Sequence, residues 1–201
     1  MKPVNRLIYI ALLASLPLLG ACSRPPAAPD AGTAAPTTEL GQKVRAATEE
    51  ARKKMATENI DVSSSFTNGV RDLPKAEITP QGDLLISSQP ITIDDKQRSL
   101  LLTHRANLIA VAEAGMAIGV QGVDLGMKAA GEALKGIFSG NPGQVEENIK
   151  AEAEKIKLEA AKLCARLPAL RDSQDAAAAA IPEFKPYATI DQSDIDNCQV
   201  N

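Results

Sequence analysis

For more than 40 residues after Asp94 this chain contains no proline, and within that stretch its smallest residues fall in register. Ala112, Gly115, Gly119, Gly122, Gly126, Ala129, Ala133 and Gly136 recur at alternating steps of three and four. That period places them on one face of an α-helix. Segment 94–138 is therefore expected to be a long helix carrying a helix-packing seam of near-zero side-chain volume. Each interior glycine costs about 1 kcal/mol of helix propensity relative to alanine. Close approach by a second element offsets that cost, as small-xxx-small faces do between helices in membranes. A helix kinked at its glycines is the other form this spacing allows. Glu113, Gln121 and Asp124 interrupt the apolar run, which speaks against a single membrane span.

The partner of the seam is expected next along the chain. Ser139-Gly140-Asn141-Pro142-Gly143 reads as a tight turn, with Pro142 suited to the first position of a helix. In 144–167, Val145, Ile149, Ala153, Ile156, Ala160, Leu163 and Leu167 form an apolar stripe on an otherwise charged helix. A short turn makes the two helices antiparallel neighbours, and the Ile and Leu side chains are expected to enter the Gly/Ala seam. Pro168 ends or kinks the second helix, 169–180 is a short alanine-rich helix, and 182–201 reads as an extended acidic tail.

Upstream, Leu40, Val44, Ala47, Ala51 and Met55 give 40–58 a thin amphipathic stripe. Residues 60–93 contain short apolar runs around the turn Pro80-Gln81-Gly82 and are expected to form a small antiparallel meander of two to four strands. The fold class is thus α+β and mainly α, with the meander ahead of the helical hairpin and a short helix after it. Thr92 or Asp94 can cap the start of the long helix.

The N-terminus carries an address. Lys2 and Arg6 precede an apolar run from Leu7 to Leu19, and Gly20-Ala21-Cys22 follow. The run is short for a membrane span, which needs roughly 20 apolar residues. The pattern resembles a lipoprotein signal peptide over residues 1–21, with Cys22 as the lipidation site. A simple secretory signal that leaves Cys22 a plain thiol is the alternative. Two or more acyl chains give stable attachment. Ser23 at the next position resembles outer-membrane sorting, with the inner membrane as the other destination. Residues 22–39, rich in Pro and Ala, are expected to be a disordered tether, and 40–201 a single folded domain.

Without residues 1–21, which hold Lys2, Arg6 and no acid, the net charge moves from −3 to −5. Aromatic residues make up 2% of the chain and Trp is absent. A mildly acidic domain with no basic cluster and few aromatic platforms is a poor match for nucleic acid. In an oxidising compartment Cys164 and Cys198 read as a disulfide pair; two free thiols are the alternative. No metal-ligand cluster and no cofactor motif is present. His104, the one histidine, lacks a nucleophile-elbow pattern nearby. The glycines lie inside a helical period, unlike a phosphate loop. Asp191, Asp194 and Asp196 lack the glycine and terminal glutamate of a calcium loop.

Ile78-Thr79-Pro80-Gln81-Gly82-Asp83-Leu84-Leu85-Ile86, then Ile91-Thr92-Ile93, then Gln97-Arg98 at a helix start, resembles the YggN-like family of uncharacterised Gram-negative envelope proteins. Glu113–Gly122 and Leu163-Cys164 are similar to its xanthomonad-type lipoprotein members. The resemblance covers about 60–165 and implies an envelope location and this fold; it carries no catalytic residue. The sequence leads to three expectations. The first is a non-catalytic membrane-anchored module that binds an envelope protein or other component. The second is a carrier of lipid or other apolar cargo, and the third a membrane-active helical hairpin.

Overall fold

The computed structural model describes residues 38–63, 73–139 and 142–198, without the side chains of 133, 135–139, 142–145 and 148. The expected signal peptide, Cys22 and nearly all of the expected tether lie outside the described residues.

The elements run α1 (Glu39–Thr57), β1 (Ile60–Asp61), β2 (Ala76–Ile78), β3 (Leu84–Ile86), β4 (Gln89–Pro90), α2 (Asp95–Ser139), α3 (Pro142–Cys164), α4 (Leu167–Ala180) and α5 (Gln192–Asn197). A single 3-10 turn at Lys185–Tyr187 lies between the last two. The protein is mainly helical, with a small antiparallel sheet and a long helical hairpin.

The sheet is a simple meander in the order β1-β2-β3-β4, with Ile60 opposite Ile78, Ala76 opposite Ile86 and Leu85 opposite Pro90. Thr79 and Gly82 close the β2–β3 turn, and Gly82 has φ +83°. A Cβ there would sit 2.7 Å from Cγ of Leu102 on α2. Glycine is thus required both by the backbone conformation and by the close approach of the helix. The β3–β4 turn is Ser87-Ser88, both with positive φ, which matches the two-residue turn whose twist suits a hairpin. The fourth strand is Gln89–Pro90, which brings the meander to the upper end of the expected two to four strands. Serines that occupy the left-handed region without a glycine gave no turn signal in the sequence.

Asp94 caps α2: its carboxylate accepts from Gln97 N–H (2.8 Å), and Gln97 Oε1 accepts from Asp94 N–H (2.9 Å), a reciprocal capping box. Gln97 Nε2 also donates to the carbonyl of Ala180 at the end of α4 (2.7 Å). Arg98 pairs with Asp83 beside the β-turn. The Gln97-Arg98 dipeptide therefore ties the start of α2 to both α4 and the sheet. α2 is unbroken over 45 residues, roughly 65–70 Å at 1.5 Å per residue.

The core lies at one end of this rod. Ile78 and Leu84 from the sheet, Leu101 from α2, Leu170 from α4, and Ile181 and Phe184 after it are fully buried. Beyond Val111 the rod continues as an arm, flanked by α1 and α3. Among the described residues no apolar side chain from Ala112 to Leu163 is fully buried.

Two boundaries differ from expectation. α4 starts at Leu167 with Pro168 in its first turn, where a proline's missing N–H costs nothing. Of the expected extended tail 182–201, the described part, 182–198, is not extended: it holds the 3-10 turn and α5, whose start is a capping box between Asp191 and Asp194.

Candidate functional site

The head and the arm meet at an apolar groove of about 610 Å³. α2 supplies its floor with Leu108, Val111, Ala112 and Gly115. Met55 of α1 and Ile60 of β1 form one wall; Leu163 and Leu167 form another. The C-terminal segment closes the third side through Ile190, Asp194, Asn197 and Cys198. The volume lies in the range of sites that take small ligands.

Each wall is held by a specific polar device. Arg105 on α2 is 4% exposed, and its guanidinium donates to the carbonyls of Ile78 (2.8 Å), Glu58 (2.7 Å) and Met55. It fixes the end of α1 against the sheet, where a cation complements the negative helix terminus. Burial pushes its pKa below the ordinary value. Gln174 on α4, 2% exposed, grips the C-terminal segment. Its Oε1 accepts from Thr189 N–H (3.0 Å) and Ile190 N–H (2.9 Å), while Nε2 donates to the Ile190 carbonyl (2.9 Å). Finally, Cys164 and Cys198 form a disulfide with Cα atoms 5.5 Å apart, fastening the segment to the end of α3. The expected pairing is therefore the one in the structure, and it builds a wall of the groove.

The Gly/Ala face is only partly packed. A Cβ on Gly115 would touch Leu163 Cδ1 at 3.7 Å, and Ala112 lines the groove. At Gly119, Gly122 and Gly126 a Cβ would meet nothing within 4 Å, and all three are exposed. The expected insertion of α3 side chains along the whole seam is thus corrected to its two flanks: Gly115 meets Leu163, and Ala129 faces Ile149 and Glu152, while the glycines between them stay open. Ala133 lies in α2, with its side chain outside the described set.

The middle of the arm has its own clasp. Thr38 caps α1 by accepting from Gly41 N–H (3.1 Å), and its own N–H donates to Asp124 (2.9 Å). Asp124 also pairs with Lys128 (2.9 Å). Burial works against the charged carboxylate, but the bonds from Lys128 and Thr38 outweigh it and hold its pKa at about 2. Glu113, the other acidic residue in the apolar run, faces Arg52 of α1 at 3.8 Å.

His104 is buried at 3% exposure, with Phe184 edge-on to its ring and Ser173 Oγ 3.1 Å from Nδ1. Ser173 donates its own proton to the Leu170 carbonyl (2.8 Å), so the neutral ring carries its hydrogen on Nδ1 and donates to the hydroxyl. That polarity is opposite to the one in which a histidine activates a serine. Burial lowers the His104 pKa to about 4. Ser173, Gln174 and Arg105 gave no sequence signal, because each acts on a partner distant along the chain. Among the described residues no cluster of three or more metal-ligating side chains occurs.

Comparison with protein-family models, with curated proteins and with solved structures finds no match to this chain.

Proposed function

We propose that the chain is a non-catalytic lipoprotein, anchored through Cys22 in the outer membrane and facing the periplasm, that binds an apolar part of an envelope component in the groove. The groove carries this reading: nine apolar residues line it, with Asp194 and Asn197 at one side. Two independent clamps, Gln174 and the Cys164–Cys198 disulfide, hold its C-terminal wall. A preorganised apolar cleft lowers the ordering cost of binding. The resemblance of 60–165 to YggN-like envelope proteins agrees with the location. A photo-crosslinking residue in place of Met55, used in intact cells, is expected to yield a discrete adduct that the same residue at exposed Lys96 does not. Equal labelling at both positions, or none at Met55, refutes the reading.

The same lining favours a second reading, a carrier of lipid or other apolar cargo. Native mass spectrometry of protein purified under mild conditions separates the two, because a carrier retains a small apolar molecule. The third reading, a membrane-active hairpin, draws on α2, whose most apolar window is only 11% buried. It requires leakage from liposomes exposed to the protein.

A further inference from the structure

We propose that the Cys164–Cys198 disulfide is a redox latch on the groove: oxidised, it holds the third wall against an apolar guest, and once reduced by a dithiol it lets that wall move away and the guest leave. The proposal deepens the groove-binding reading above and rests on it.

The bond sits where it controls this wall and little else. Within the stretch that it closes, from Cys164 to Cys198, the chain as far as Ile190 is held by other means. Leu170 and Ala177 of α4 are buried, as are Ile181 and Phe184 after it. Tyr187 donates to the Pro74 carbonyl (2.9 Å), and Gln174 grips Ile190. Beyond Ile190 the ties thin out. Among the described residues, Asp191 bonds to Ser193 and Asp194, and Gln192 to Asp196, all inside the segment. One exposed bond, from Arg171 to Gln192, leaves it. Ile195 rests half-buried on the core. α5 has six residues, too few for a helix to persist on its own. The disulfide is thus the covalent stop that keeps 191–198 in place, and Asp194, Asn197 and Cys198 of that segment line the groove. On the other side of the bond, Leu163 and Leu167 bracket Cys164 in the chain and line the groove too.

Both cysteines are partly exposed, so a thiolate can reach the bond. The reductant's thiolate attacks one sulfur, the S–S bond breaks, and the other cysteine leaves as a thiolate that takes up a proton. The reductant's second thiol then displaces the first cysteine and closes the reductant's own disulfide. Two electrons pass to the protein and two to the broken S–S bond's former partners is the same pair: the dithiol is oxidised, and Cys164 and Cys198 become thiols. Segment 191–198 can then open locally while the head stays folded. Leu167 and Ile190, 8% and 6% exposed with the wall in place, lose that cover, and the cleft loses its preorganisation.

The test uses the full chain carrying Cys22→Ser, which leaves Cys164 and Cys198 as the two cysteines and makes the result independent of the anchor. Amide exchange and binding of the apolar dye N-phenyl-1-naphthylamine are measured before and after dithiothreitol. Reduction is expected to remove protection from 192–198 while α4 and Ile190 keep theirs. The dye Kd is expected to weaken about tenfold, the effect of losing roughly two buried methylene contacts. Cys164→Ser/Cys198→Ser should bind as the reduced protein does and ignore dithiothreitol. Dye binding that survives reduction unchanged overturns the latch and leaves the groove reading standing. Loss of protection across α4 on reduction also overturns it, because the bond is then a staple of the head. Absence of dye binding to the oxidised protein, or binding indifferent to Met55→Glu in the opposite wall, defeats the groove reading and the latch with it.

Discussion

Arg105, in the middle of the chain, donates to the carbonyl of Glu58 at the end of α1 (2.7 Å), and through this bond the first helix is fixed to the spine of the protein. The same guanidinium serves Met55 and Ile78. It has no carboxylate within these contacts; three backbone carbonyls carry the charge's solvation.

Replacing it should therefore loosen α1 and one wall of the groove together. Arg105→Ala is expected to lower stability by about 3 kcal/mol or more, given about 1.5–3 kcal/mol for a single charged hydrogen bond. Arg105→Lys recovers only part, because an ammonium cannot reproduce the planar fork. Urea denaturation gives the magnitude, and amide exchange in α1 shows where the loss falls.

The exposed glycines predict the opposite sign. Gly122→Ala meets open space within a helix, so it is expected to stabilise the protein by about 0.5–1 kcal/mol. A lower melting temperature for this variant would show that something covers that face in solution. Gly82→Ala, by contrast, should cost about 1–3 kcal/mol from its backbone conformation, and more from the approach of Leu102.

The Cys164–Cys198 bond closes a separation of 34 residues. Removing both thiols as Cys164→Ser/Cys198→Ser is expected to lower stability by about 3–4 kcal/mol on the chain-entropy estimate. Proteolysis should then reach α5 before the head. Gln174 still holds Ile190 in that variant, so the damage should stop short of the core.

His104 introduces a pH dependence. Its folded pKa, about 4, lies below the ordinary value near 6.5. Above pH 6.5 both states are neutral and the contribution is fully present. As pH falls toward 4 the unfolded chain takes up a proton that the folded one refuses, and stability drops by roughly 3 kcal/mol. Chemical denaturation at pH 7 and pH 4.5 measures this, and His104→Asn should flatten that part of the profile.

Local pattern carried most of the fold. The Asp94–Gln97 cap, the Gly82 turn and the 3.6-residue periods of α2 and α3 all act within a few residues, so the sequence displays them directly. The Asp191–Asp194 capping box was equally local, but three aspartates in a row of polar residues resembled a tail. The groove was hidden for another reason. Its clamps join positions 105 and 58, and 174 and 190, and spacing along the chain says nothing about pairs that only folding brings together. The seam shows a third limit: regular glycines reveal that a face is narrow, yet not how much of it the neighbouring helix will cover.

The antiparallel course of α1 fixes a geometry beyond any single bond. The stretch of α2 from Asp124, beside the entry of the chain, to Leu101 in the core spans 23 residues, about 35 Å of rigid helix. The arm is therefore a ruler: the start of α1 and the β-meander are held a fixed distance apart, so that probes placed at the two report one separation in every state in which α2 stays helical.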